Sequence, residues 1–473
     1  MFWPESAYGP TNQCIGLADI LRDRGHRIVF AAESSWAGKL APLGFVEELV
    51  DLAEPTMPPR DAVEEERGDS AVAEPTMPAR DAVEEERGDS AVAEPAGEPP
   101  AGAGDDGDAG QFWTDFIAET APEFRKPTVD QLATFIQPTY QALIDGARYC
   151  EPRLREIIAT HRPDVIVEDN VVLFPALVTA GRPFVRIVSC SPLEVSGPGV
   201  PPPFSGLPSD DDSQWAAYRA EFDRTHRAMW SDFNDWVVSQ GADPLPELEF
   251  MPRENTANLY VYPAEADYRD RRPLDGSWTR MDSSVRQTDD EYPLPAVVAD
   301  RPADSALIYL SLGSLGGADV ELMQRLVDVL GTTRHRFIVS KGPQADRITL
   351  AANMTGAQML PQTTVIPQVD LVISHGGNNT VTETLHFGKP LIVLPLFWDQ
   401  YENAQRIDEL GFGVRLDTYG FADHELTGAV ERLLADTELR ARLDEMGAAI
   451  RARDGLRIGA DVIERVGRRA AGD

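Results

Sequence analysis

In both halves of this chain, short apolar runs alternate with helix-spaced segments, and that alternation constrains the fold more than any other feature. In the first half Arg27 to Ala32 (RIVFAA), Asp164 to Glu168 (DVIVE) and Phe184 to Val188 read as buried strands, with Leu259 to Tyr262 (LYVY) the last of them. Helices are expected over Ile15 to Arg24, closed by Gly25, over Arg153 to His161 and near Phe174 to Ala180. The second half repeats the pattern, with strands at Ala306 to Leu312 (ALIYLSL), Arg336 to Ser340, Thr364 to Ile366, Asp370 to Ser374 and Leu391 to Leu394, and a helix through Val320 to Leu330. Strands alternating with helices imply parallel sheets covered on both faces, and 473 residues exceed what one core usually organises. The expected fold class is therefore α/β, with two doubly wound domains.

The predicted domains are 1–275 and 303–455, joined by a linker over 276–302 and followed by a C-terminal helix or tail over 456–473. Residues 195–215 are rich in Pro, Gly, Ser and Asp and read as a long loop. The amphipathic helix expected from Gln214 to Ser239 carries Trp215, Tyr218, Phe222, Met229 and Trp230, which this reading assigns to packing. A first buried strand should precede the segment Pro4 to Asn12, read as a loop, yet only Met1, Phe2 and Trp3 stand before it. The expectation is that the recorded start falls inside that strand.

One segment breaks the alternation. Ala53 to Val72 (AEPTMPPRDAVEEERGDSAV) recurs from Ala73 to Val92 with only Pro59 changed, to Ala79. Two copies without an apolar face cannot bury a core, so residues 52–110 read as a disordered insertion. Deleting residues 53–109 is accordingly expected to leave melting temperature and turnover nearly unchanged; an insoluble or unfolded product would count against that reading.

The chain holds 78 Asp and Glu against 43 Lys and Arg, a formal charge of −35, and the duplicated stretch 51–110 supplies 14 of those negative charges. Such a balance disfavours nucleic acid and anionic membrane surfaces as partners. Cys14, Cys150 and Cys190 are widely spaced with no CxxC pair, which suggests neither a disulfide framework nor a zinc cage. No apolar run reaches the roughly 18 to 20 residues of a membrane helix and no signal-peptide pattern follows Met1, so no integral membrane segment is expected and the expected location is cytoplasmic.

The chemistry concentrates in residues 370–388, DLVISHGGNNTVTETLHFG: an apolar strand, a His-Gly-Gly turn, then Asn378, Asn379 and Thr380 opening a helix that stops at Gly388. The N–H groups of a helix start lack partners and the helix dipole favours an anion there, so a pyrophosphate fits this geometry. Gly376 and Gly377 permit close backbone approach. A plain Rossmann turn would carry the glycines as well, but His375 at the strand tip is unusual for a core histidine.

Residues 359–404 resemble the nucleotide-sugar signature of the family 1 glycosyltransferases. The resemblance runs through Pro361-Gln362, His375-Gly376-Gly377-Asn378-Asn379-Thr380, Glu383, Asp399-Gln400 and Asn403-Ala404. It implies the GT-B fold, two Rossmann-like domains facing a cleft, and transfer of a hexose from a nucleoside-diphosphate sugar, most often UDP, to a hydroxyl of an apolar small-molecule or lipid acceptor, with inversion and without a cofactor or metal. It further implies that His375, Asn379 and Thr380 contact the diphosphate, that Glu383 holds the ribose, and that Asp399 and Gln400 hold the sugar hydroxyls. Carboxylate and amide groups suit hydroxyl-rich ligands. Ser311-Leu312-Gly313-Ser314 resembles the family's other phosphate-facing turn, with Gly313 and Ser314 near the donor. Beside Gln362, Met359 stands where the family usually has an aromatic residue to stack on the base.

In the first domain, Gly9-Pro10-Thr11-Asn12, Gly16-Leu17-Ala18 and Arg24-Gly25-His26 align with the family's opening loop and first helix. Many relatives carry their catalytic histidine where this chain has Pro10, which cannot act as a base. His26 matches a structural position and reads as a capping residue. Asp169, in Glu168-Asp169-Asn170 at a strand's carboxyl tip, is the leading candidate for the acceptor's base, with Glu5 the other. The acceptor pocket is expected from Gly9 to Cys14, 112–145 and 190–206. Asp106-Gly107-Asp108 and Asp210-Asp211-Asp212 lie in polar segments and do not read as metal sites. Pro10 keeps open a weakened or non-catalytic nucleotide-sugar-binding relative, and an epimerase or phosphorylase of the same architecture is a further alternative. A dinucleotide oxidoreductase is disfavoured because no G-x-G-x-x-G follows the first strand.

Overall fold

The computed structural model describes residues 1–52, 119–253, 255–287, 291–313, 317 and 319–472. Beyond Leu52, the duplicated segment expected to be a disordered insertion lies outside the described residues, as do Asp106-Gly107-Asp108 and Ser314.

The first sheet has seven parallel strands: β1 (Phe2–Pro4), β2 (Val29–Glu33), β3 (Val46–Val50), β4 (Ile166–Asp169), β5 (Phe184–Val188), β6 (Ala257–Tyr260) and β7 (Trp278–Arg280), in the order β3-β2-β1-β4-β5-β6-β7. The second has six: β8 (Leu307–Ser311), β9 (Arg336–Ser340), β10 (Met354–Ala357), β11 (Leu371–Ser374), β12 (Leu391–Val393) and β13 (Gly413–Arg415), in the order β10-β9-β8-β11-β12-β13. Both sheets reverse their winding direction beside their first strand, between β1 and β4 in one and between β8 and β11 in the other. Ligands of open α/β sheets bind at the carboxyl ends of strands at such switch points. Glu5 and Asp169 follow or end the first such pair, and Gly313 and His375 follow the second.

Several expectations are corrected. Gly9-Pro10-Thr11-Asn12 is not loop but the opening of a helix, Tyr8–Asp23. Pro10 falls in its first turn, where the missing N–H would lack a partner anyway. Phe2–Pro4 forms the interior strand β1, with Phe2 beside Phe30 and Val167 and Pro4 beside Asp169. The first domain runs past 275, because Trp278–Arg280 adds β7 alongside β6. Thr364 to Ile366 is not a strand: Gln362–Val365 is helical and continues as a 3-10 turn over Ile366–Gln368. Its β-branched residues suggested a strand, but Pro361 and Pro367 are misplaced for a sheet interior and suited to helix starts. The strand of that region is Met354–Ala357.

The chain ends by returning to the first domain. Ala460, Val462, Ile463 and Val466 of the helix Gly455–Gly472 share one core with Cys14, Leu17, Leu21, Phe30 and Val167. His26, read as a capping residue, instead pairs with Glu464 of this helix at 2.8 Å. The carboxyl ends of the two sheets face each other: Asn378 donates through Nδ2 to the carbonyls of Ser189 (2.7 Å) and Val261 (3.1 Å), past the ends of β5 and β6.

Candidate active site

β11 is buried throughout, and the chain leaves it through His375, Gly376 and Gly377 into the helix Asn378–His386, whose N-cap is Gly377. The His375 ring is wedged between two glycines. A methyl group on Gly313 would lie 2.6 Å from Cε1 of His375, and one on Gly377 would lie 2.6 Å from its Nε2. No side chain fits at either place, so these glycines make room for the imidazole as much as for a ligand. Burial dominates the titration of the ring, outweighing the Ser311 backbone nearby, and lowers the histidine pKa to about 4. His375 is neutral at neutral pH.

Beneath the helix start lies a polar network. Gln362 donates through Nε2 to Glu383 (2.7 Å) and lies 3.3 Å from the Thr380 hydroxyl. Arg286, from the crossing between domains, reaches Glu383 at 3.4 Å, and Glu383 is fully buried. Asn379 stands at the facing domain's edge, its Cβ 3.8 Å from where a Cβ on Gly9 would be. Met359 is half exposed at the rim.

Asp399 and Gln400 sit at the start of the helix Gln400–Glu409. The Asp399 carboxylate accepts from the backbone N–H groups of Asn378 and Ser191, which belong to different domains, while burial and the nearby Glu194 raise its pKa to about 7. Gln400 turns its amide oxygen to the N–H groups of Leu396 (2.9 Å) and Phe397 (3.2 Å), so that oxygen braces the preceding loop. Asn403 donates to the Gly376 carbonyl at 2.9 Å, tying this helix to the glycine turn.

Across the cleft Asp169 ends β4 and is buried. Its Oδ1 accepts from the Ser189 hydroxyl at 2.8 Å, while among the described residues Oδ2 has no hydrogen-bond partner. Burial, with Glu194 and Glu5 nearby, pushes its pKa well above the usual carboxylate range. Glu5 is tied more locally: its carboxylate accepts from the Ala7 N–H at 3.3 Å, its own N–H donates to the Asp169 carbonyl at 2.8 Å, and burial raises its pKa to about 7.

A cavity of about 250 Å³ opens beside Asp399, walled by Tyr140, Phe204, Tyr218, Phe222, Phe250 and Trp398, with Cys190 and Ser191 at its edge. Residues 190–206 contribute as expected, whereas Gly9 to Cys14 do not line it. Tyr218 and Phe222, assigned to packing from sequence, are cavity walls. Sequence reasoning also missed Glu402 and the 247–251 loop; helical spacing does not tell an inward face from a face toward a cavity. Phe204, Leu248 and Trp398 line the cavity with left-handed backbone, φ of +65°, +59° and +57°. Non-glycine residues adopt that region uncommonly, and here three of them fall on one cavity wall.

Two Rossmann-like sheets facing across a cleft, with a His-Gly-Gly turn opening a helix on one side, define a GT-B protein. Comparison agrees: the glycotransferase of kitacinnamycin superposes with a TM-score of 0.65 at 19% identity, covering 98% of both chains. The family described as "Erythromycin biosynthesis protein CIII-like, C-terminal domain" matches residues 324–455. An NDP-glycosyltransferase of Bacillus subtilis is 25% identical over 316 residues, 66% of this chain and 75% of that protein. A sterol 3-beta-glucosyltransferase of Pichia angusta is 28% identical over 244 residues, 49% of this chain but only 19% of that much longer protein. Together these matches support a family 1 GT-B glycosyltransferase. Among the described residues no helix is long and apolar enough to cross a membrane.

Proposed function

We propose that this glycosyltransferase takes its sugar from a nucleoside diphosphate, UDP in the first instance, and places it with inversion on a hydroxyl of an apolar acceptor. The observation that carries the reading is the His375 ring held between Gly313 and Gly377 at a helix start, opposite the partnerless Asp169 oxygen. The diphosphate lies against the first turn of the Asn378–His386 helix with His375, Asn379 and Thr380, with Gly313 beside His375. Glu383 holds the ribose, Met359 lies beside the base, and Asp399 and Gln400 hold the sugar. The acceptor occupies the aromatic-walled cavity, consistent with the sterol named for one relative.

In the reaction the acceptor oxygen attacks the anomeric carbon from the face opposite the diphosphate. Its proton passes to the Asp169 carboxylate, directly or through a water, as the bond from the anomeric carbon to the phosphate oxygen breaks. The electron pair leaves with the nucleoside diphosphate, whose charge meets the helix start and a neutral imidazole N–H. Single displacement leaves no covalent sugar on the protein. Incubation with a panel of nucleotide sugars, reading nucleoside diphosphate release and product mass, tests donor and transfer together. If none of the panel releases nucleotide in the presence of apolar acceptors, the reading fails.

The same arrangement predicts how metal affects turnover. With backbone amides and His375 meeting the diphosphate, activity is expected to survive EDTA. Loss on chelation with recovery on adding manganese or magnesium would overturn the metal-independent mechanism.

A further inference from the structure

The cavity carries more acid than its walls can neutralise. Five carboxyl groups line it, those of Glu194, Glu247, Glu249, Asp399 and Glu402, against the guanidinium groups of Arg186 and Arg219. Most are committed elsewhere. Arg186 pairs with Glu194 at 2.6 Å, and Glu247 and Glu249 pair outward with Arg227 and Arg253. Arg219 donates to the carbonyls of Gly197 and Val200. Asp399 and Glu402 are left without a cation; burial pushes the Glu402 carboxyl well above the usual range and the nearby Asp399 and Glu194 push it further, so a cation beside it would have its charge to stabilise.

Glu402 is the sharper case. It reaches the cavity from the second domain, is only 2% exposed, and accepts from the Phe204 N–H through Oε1. Its Oε2 has no hydrogen-bond partner among the described residues. A buried carboxyl oxygen left unsatisfied costs free energy, and this one belongs to a residue lining the cavity, where a ligand group can satisfy it. Around it stand Phe204, Trp398 and Tyr140, in mutual ring contact at 4.7 and 5.2 Å from Trp398. Aromatic faces with an uncompensated carboxylate are the surroundings an organic ammonium prefers over a neutral group.

We propose that this cavity selects acceptors bearing a protonated amine, which Glu402 ion-pairs against the Phe204, Tyr140 and Trp398 faces. The proposal rests on the reading of the cavity as the acceptor site. It concerns which acceptors are chosen and not whether sugar is transferred. Specificity arises because the apolar wall alone would accept a neutral ligand of the same shape, whereas Glu402 gives the charged ligand a partner.

Calorimetric titration of the full chain without nucleotide sugar tests it, using benzyltrimethylammonium and its uncharged carbon isostere neopentylbenzene. The wild-type protein is expected to bind the ammonium more tightly by roughly tenfold or more. In Glu402→Gln, which keeps an acceptor for the Phe204 N–H, the preference should disappear while neopentylbenzene binds as before, showing that the cavity is intact. Equal or tighter binding of the neutral probe by the wild type overturns the proposal, as does binding of neither. Preference that survives Glu402→Gln but is lost in Asp399→Asn also overturns it, because the cation would then sit on the donor side. No nucleotide sugar is present, so failure here leaves nucleotide release, the test of transfer itself, standing.

Discussion

Replacing His375 with alanine is expected to lower sugar transfer by roughly 100- to 1,000-fold, the range for removing one preorganised donor from a developing negative charge. The imidazole is neutral at neutral pH, so the loss is of an oriented N–H and not of a cation. Nucleotide binding should therefore stay flat as pH rises through the ordinary histidine range, where a charged histidine would weaken its hold. Stability should respond on the acid side only. With a folded pKa of about 4 against an ordinary 6.5, the unfolded chain takes the proton first, so the folded state loses stability as pH falls from 6.5 toward 4. His375→Ala should flatten that slope without lowering the melting temperature at neutral pH. Wild-type turnover in this variant, or in Asp399→Ala, would refute the donor-site assignment.

This site was legible in sequence because its parts lie close together in the chain. The strand, glycine turn and helix start over 370–388 keep their order in space, and Asp399, Gln400 and Asn403 return within one strand and one turn. What sequence could not show is which atoms each residue faces. Gln400 braces its own loop through its oxygen, and Gly313 and Gly377 hold open the slot for His375, a contact between segments some sixty residues apart. The first domain was read less well where Gly and Pro misled: Gly9 and Pro10 look like loop residues, but a helix start accepts them. The acceptor cavity was the least legible part. It is assembled from separate loops and from one face of the Trp215–Ser239 helix, and Tyr218 and Phe222 have the same spacing whether they meet core or cavity.

Asp169→Asn is expected to reduce turnover by roughly 100-fold or more while leaving nucleotide binding intact, within the usual contribution of a general base. The variant isolates proton affinity from shape, because the asparagine oxygen still accepts from the Ser189 hydroxyl and its folding should not suffer. The pH profile gives an independent reading. Burial holds Asp169 protonated above the usual carboxylate range, so wild-type kcat/KM should rise with pH through that raised value as the base ionises. Asp169→Asn should abolish this limb. Glu5→Gln makes the converse test: the Glu5 charge is among the groups raising the Asp169 pKa, so its removal should move the limb to lower pH and leave the maximum rate nearly unchanged. If instead Glu5→Gln loses turnover and Asp169→Asn keeps it, Glu5 is the base. If neither matters and Pro10→His, in the first turn of the Tyr8–Asp23 helix, creates or greatly raises activity, the chain is a weakened relative that binds nucleotide sugar without an efficient base of its own.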